Sequence, residues 1–230
     1  MPKYTSAYSD FIKRLDEISS IQKMAKAIEK PFYSPPEINI YCRAGIVLLN
    51  SHIEGYFKDI ITLVIDNIHE KKAKKDNLGK GFLYYMSLDL LQGYTDTNDP
   101  NKKYEILSSL FQRDGSIWNK DPTFQTRLEA ERYTNKIQSI QCDKLYKWVN
   151  HLGCTSFKSQ MKARLTSSYF PCENMINRIS DLRNDIAHGG ITNPITTSDL
   201  KPMVDLSKKF CCASDTVIAN WAKNVGCPIR

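Results

Sequence analysis

In the stretch Leu182-Arg183-Asn184-Asp185-Ile186-Ala187-His188-Gly189, a guanidinium, a carboxamide and an imidazole fall within six residues. Each type suits a different part of a reaction at phosphorus. An arginine keeps its proton and offers phosphate oxygens a planar fork of donors. A histidine, with an ordinary pKa of about 6.5, exchanges a proton near neutral pH. An asparagine steadies either partner, or a phosphate oxygen, by hydrogen bond. Arg183 and His188 are five residues apart, so on an ideal helix they point about 140° away from each other. Two devices overcome that separation. Gly189-Gly190 can unwind the last turn and swing His188 inward, or a second chain can bring its own pair across a two-fold axis.

A second polar set lies upstream. Arg43, Asn50 and Glu54 fall within about 40° of one another on a helical wheel, one polar line along an otherwise apolar segment. Arg183 itself falls inside the stripe of Ile176, Ile179, Leu182 and Ile186, about 20° from Ile176. Two readings follow: a buried ion pair of Arg183 with Glu54 within a structural network, or a polar cavity open to substrate. His52, on the opposite side of its helix, reads as an ordinary packed histidine.

Other chemistries lack their residues. The histidines, His52, His69, His151 and His188, are scattered with no HExxH pattern, and there is no GxSxG elbow. Seven cysteines without a CxxC pair indicate reduced thiols rather than a disulfide framework or zinc knuckle. No metal and no cofactor is expected.

The elements that must position these residues are helical. The 230 residues suffice for one sizeable domain, and 41% hydrophobic with 25% charged residues is globular composition. The longest apolar run, Ala44 to Leu49, is far short of the roughly 20 residues of a membrane span, and the amino terminus lacks an apolar signal core. A soluble, cytoplasmic protein with no membrane partner is expected. The net charge of +7 leans toward a polyanion, although part of it sits in Lys71, Lys72, Lys74, Lys75 and Lys80, which read as a solvated helix end.

Apolar residues three or four apart predict a helix over 7–29. Pro31, Pro35 and Pro36 break it, and a long central helix over 37–73 follows, apolar on more than one face. Helical pieces are predicted near 82–92, 102–112, 126–150 and 156–168, separated by TDTNDPN, RDGSIWNKDP and Gly153. A helix over 171–187 opens at Pro171 and closes at Gly189-Gly190, and a last one over 198–224 opens on Thr197 or Ser198 with Asp199 behind it. The chain reads as one all-α domain over 1–230.

The segment Leu182 to Gly189 resembles the Arg-x4-6-His signature of the HEPN superfamily, and Arg43-Ala44-Gly45-Ile46-Val47-Leu48-Leu49-Asn50-Ser51-His52-Ile53-Glu54-Gly55 resembles the long helix of a bacterial stand-alone HEPN branch associated with defence and toxin systems. The resemblance implies a helical bundle with a long central helix, 80–170 being a family-specific helical elaboration. It also implies a metal-independent endoribonuclease of a defence or toxin–antitoxin system, leaving 2′,3′-cyclic phosphate and 5′-hydroxyl ends. Arg183, Asn184 and His188 would be catalytic and Glu54, Arg43, Asn50 and Asp185 supporting. A homodimer with a composite site is implied, with RNA as substrate and an antitoxin or regulatory protein as a further partner. The alternative is a catalytically inactive HEPN module that binds nucleotide or protein.

Overall fold

The computed structural model describes residues 4–29, 36–189 and 195–230, and among them there are helices and no strands. Helix α1 (Ser6–Ile28) is opened by Thr5, whose hydroxyl accepts from the Tyr8 amide, and buries Phe11, Leu15 and Ile18 against α2 (Pro36–Glu70). The 35 residues of α2 bury side chains on several sides, among them Ile46, Tyr56, Phe57 and Ile65. Two glycines let neighbours approach it. A Cβ at Gly45 would stand 3.4 Å from Leu200, and one at Gly55 would stand 2.9 Å from the Arg14 guanidinium, which crosses there to reach Asp59 at 2.7 Å. The helix stops at Glu70, three residues before the sequence-predicted end. Pro31 and Pro35 lie outside the described residues.

The middle of the chain departs most from its sequence reading. The segment read as one helix over 82–92 is divided at Ser87 into α3 (Lys80–Met86) and α4 (Leu88–Asp96). Helix α5 (Pro100–Trp118), capped by Asp99, runs through Gly115 where a break was expected. The helix expected over 126–150 is instead a short turn, α6 (Glu131–Thr134), an irregular connector, and α7 (Cys142–Leu152). The cause is tertiary. Ile137 and Ile140 are buried from non-helical backbone, and α7 restarts where the Cys142 amide donates to Asn177 Oδ1 at 2.8 Å. Helix α8 (Phe157–Leu165) follows Gly153, whose φ of +124° is one that L side chains rarely adopt.

Lysine 75 also corrects the sequence reading. It is buried rather than solvated, and its ammonium donates to Ser116 O and Asn119 Oδ1, both at 2.6 Å, at the carboxyl end of α5. There it satisfies carbonyls that the helix leaves unpaired. Helix α9 (Tyr169–Ala187) packs on α2 and α10 (Thr197–Asn224), which completes the bundle. The cap of α10 is Thr196, one residue before Thr197 and two before Ser198, the two expected candidates: Asp199 Oδ2 accepts from the Thr196 amide at 3.0 Å and from its hydroxyl at 2.7 Å. No helix of the described residues is long and apolar enough to cross a membrane.

Candidate functional site

Helix α9 buries Tyr169, Cys172, Ile176, Ile179 and Ser180, and from Asp181 to Gly189 every residue is half-buried or exposed. The core ends before the helix does. Arg183, which shares a wheel direction with Ile176, is therefore exposed, and its guanidinium Nη1 donates to Asn184 Oδ1 at 3.2 Å. Asn184 and Asp185 are exposed beside it. His188 caps the helix with its own amide donating to Asn184 O at 3.0 Å, and its imidazole side is exposed. Gly189 follows with φ of +72°, the left-handed turn that ends the helix; a Cβ there would meet nothing within 4 Å, so conformation rather than space calls for glycine. Gly190 lies outside the described residues.

This geometry brings Arg183 to Asn184, and the His188 backbone to Asn184. It does not bring Arg183 to His188 within one chain, because the helix stays regular through Ala187 and the five-residue offset stands. Of the two ways to close that gap, an inward swing of His188 is absent.

The α2 line does not join Arg183 by an ion pair. Glu54, half-buried, pairs with Lys58 one turn along the same helix at 2.7 Å. Arg43 is half-buried and Asn50 is buried. Of the two sequence readings, the Arg183–Glu54 ion pair is thus replaced by a local one, Glu54 with Lys58. His52 is packed, as expected, 8% exposed with Nε2 3.3 Å from Glu17 Oε2; burial pushes its pKa down, against the nearby Glu17 carboxylate.

The cysteines offer no nucleophile in the core. Burial pushes Cys42 and Cys227 up to about 11 and Cys142 and Cys154 up to about 12, so these thiols stay protonated. Among the described residues no group of three or more His, Cys, Asp or Glu side chains is placed to hold a metal.

Sequence reasoning missed the neighbour of the α9 tip. Gln141, in the connector before α7, donates through Nε2 to Asp181 Oδ1 at 3.1 Å, which sets the middle segment against α9 just before Arg183. No local pattern signals a contact between residues forty apart in the chain.

An all-α bundle with a long central helix, and an arginine, asparagine and histidine exposed at the tip of a neighbouring helix, is the arrangement expected of the HEPN superfamily. A family model described as RiboL-PSP-HEPN matches residues 9–220, and the chain belongs to that family. The matched span includes the middle segment 80–170. No curated protein and no solved structure matches the chain.

Proposed function

We propose that the protein is a metal-independent endoribonuclease of a prokaryotic defence or toxin–antitoxin type system. The observation that carries this reading is the solvent exposure of Arg183 within the apolar direction of α9, beside exposed Asn184 and His188. A structural arginine in that direction would be covered and paired; among the described residues this one is exposed and has no carboxylate partner, which leaves it open to a phosphate. Membership in a superfamily that generally contains ribonucleases supports the same reading.

RNA carries its own nucleophile, a 2′-hydroxyl next to the scissile phosphate, so the enzyme needs to move protons and stabilise charge. His188 takes the 2′-hydroxyl proton as that oxygen attacks phosphorus, and an imidazolium returns a proton to the departing 5′-oxygen. Arg183 holds the phosphate oxygens as charge builds on them, and Asn184 orients Arg183. The products are a 2′,3′-cyclic phosphate and a 5′-hydroxyl. Because Arg183 and His188 face apart on one helix, the complete site draws on two chains: a homodimer whose two-fold axis sets the α9 tips together gives one histidine to accept and one to donate. Arg43, Asn50, Glu54 and Asp185 border that cleft in a supporting role, and an antitoxin or other regulatory protein restrains the activity by covering it.

The test is cleavage of an unstructured, end-labelled oligoribonucleotide in excess EDTA. Cyclic-phosphate ends from the wild type, with a loss on the order of 10²-fold in a well-folded His188→Ala variant, bear the proposal out. A strict requirement for a divalent metal overturns it. Binding of RNA without any cleavage returns the protein to a non-catalytic HEPN module.

A further inference from the structure

The middle segment carries a basic cleft that the α9 site does not use. The connector after α6 turns Ile137 and Ile140 inward and leaves Lys136, Gln138 and Ser139 on the outer side. Helix α7 buries Leu145, Val149 and Leu152 on one face, which places Lys144 and Lys147, one turn apart, on the exposed face. Between the two pieces lies half-buried Trp148, braced edge-on by Tyr85 and Tyr133 with ring centroids 4.8 and 5.5 Å away. These six residues, Lys136, Gln138, Ser139, Lys144, Lys147 and Trp148, line a cleft of about 400 Å³.

Its electrostatics are one-sided. Among the described residues none of the three lysines forms an ion pair. Asp89, the carboxylate that acts on Lys136, is already held by Arg113 at 3.0 Å. Burial lowers the Lys136 pKa, and Arg132 and Arg113 push the same way against Asp89. The Lys136 ammonium donates to Arg132 O at 2.6 Å, while an anion entering the cleft meets Lys144 and Lys147 with no carboxylate partner among the described residues, and an indole wall with Gln138 and Ser139 beside it suits a base and sugar.

Its position ties it to α9. The end of the connector and the start of α7 bond to α9, Gln141 to Asp181 at 3.1 Å and the Cys142 amide to Asn177 Oδ1 at 2.8 Å. Asp181 and His188 are seven residues apart, hence about 20° apart around the helix and about 10 Å along it. The connector that forms one wall of the cleft therefore reaches α9 about two turns before His188.

We propose that the cleft of Lys136, Lys144, Lys147 and Trp148 is a second RNA subsite, gripping the phosphates and a base of single-stranded substrate that flanks the bond cut at His188. The subsite rests on the ribonuclease reading, and it makes the middle segment the substrate-holding part of the molecule.

The experiment uses the full chain with Lys144→Glu and Lys147→Glu together, both positions exposed, so that the fold is kept. Affinity is read by fluorescence anisotropy with a fluorescein-labelled twelve-nucleotide 2′-O-methyl RNA, whose blocked 2′-oxygen prevents cleavage. The dissociation constant should rise by roughly tenfold or more, and the salt dependence should flatten by about 1.4 in log–log slope for two lost phosphate contacts. On cleavable RNA the twelve-mer should lose through KM rather than kcat, and the loss should shrink as the substrate is shortened to a dinucleotide, which cannot reach both places. Wild-type affinity and salt slope in the variant overturn the proposal and leave the lysine face to an acidic protein, as does an equal loss on short and long substrates. Weakened binding by the variant, with no cleavage by the wild type, keeps the subsite as an RNA grip and removes the nuclease reading instead.

Discussion

Two arginines in this protein make opposite predictions from their surroundings alone. Arg132 is 13% exposed and grips Asp114, 0% exposed, through two parallel bonds of 2.8 and 2.7 Å, whereas Arg183 is exposed and, among the described residues, bonds to its neighbour Asn184 at 3.2 Å. Arg132→Ala strands a carboxylate in the interior, which typically costs about 3 to 5 kcal/mol. Arg113 still reaches Asp114 at 3.1 Å and shares the burden, so the low end, about 3 kcal/mol, applies. For a chain of this length that is a fall of about 6 to 12 °C in melting temperature. Arg183→Ala removes an exposed side chain with one neighbourly bond, and stability should stay within about 0.5 kcal/mol. Its cleavage rate should drop on the order of 10² to 10³-fold, the usual cost of a lost donor to developing charge. Arg183→Lys keeps the charge without the planar fork, so RNA binding should survive and cleavage should not. Thermal melts followed by circular dichroism, with cleavage rates per folded molecule, decide the matter. An Arg183→Ala variant that melts many degrees lower and cleaves normally per folded molecule would refute the reasoning.

Glycine substitutions test the packing of the middle segment in both directions. A Cβ at Gly79 would lie 2.1 Å from the His151 carbonyl oxygen, a backbone atom that no rotamer change can move, so Gly79→Ala should destabilise by about 3 kcal/mol in urea unfolding. A Cβ at Gly115, inside α5, would meet nothing within 4 Å, so Gly115→Ala should stabilise by about 0.5 to 1 kcal/mol, and a loss there would mean that α5 is not helical at Gly115. Asp215 supplies a pH test. It is 1% exposed, accepts hydrogen bonds from the Thr5 amide and hydroxyl, and burial outweighs those bonds in pushing its pKa up from 3.8. A raised acid binds its proton more tightly folded than unfolded, so the wild type loses stability as pH rises from about 4 through the folded value, and the loss is complete above it. Asp215→Asn does not titrate, so its stability relative to wild type should climb over that window in urea midpoints and then level off; a relative decline would show that the carboxylate is held as an anion.

The bundle helices were legible because their signals are local. The apolar spacing of α1, α2, α9 and α10 and their caps lie within each segment, and boundaries erred by at most three residues. The middle failed for an equally specific reason: Tyr133, Ile137 and Ile140 keep three- and four-residue spacing and imitate a helix, although all three are anchored by tertiary burial and only the first is in a helix. At the site, the wheel gave the direction of Arg183 correctly and its burial wrongly where an ion pair was entertained. A wheel records angle and is blind to position along the axis, so it cannot see that the core stops near Ser180. The partner of Glu54 was legible in the four-residue step to Lys58 and was overlooked by looking across the bundle instead of along the helix.

The anchors of the middle segment give the lysine cleft its meaning. Lys75 holds the end of α5, Arg127 reaches Asp66 of α2 at 2.8 Å, the Gly79 amide donates to Leu152 O at 3.1 Å where the two backbones touch, and Gln141 reaches Asp181 of α9. These ties run to both helices that carry the sequence-predicted site residues, α2 and α9. Lysines on a loosely tethered lobe would raise RNA affinity without fixing which bond is cut. On the proposed ribonuclease reading, lysines on a lobe tied to α9 would set the register of the substrate, because a phosphate seated in the cleft would determine which phosphodiester reaches the helix tip.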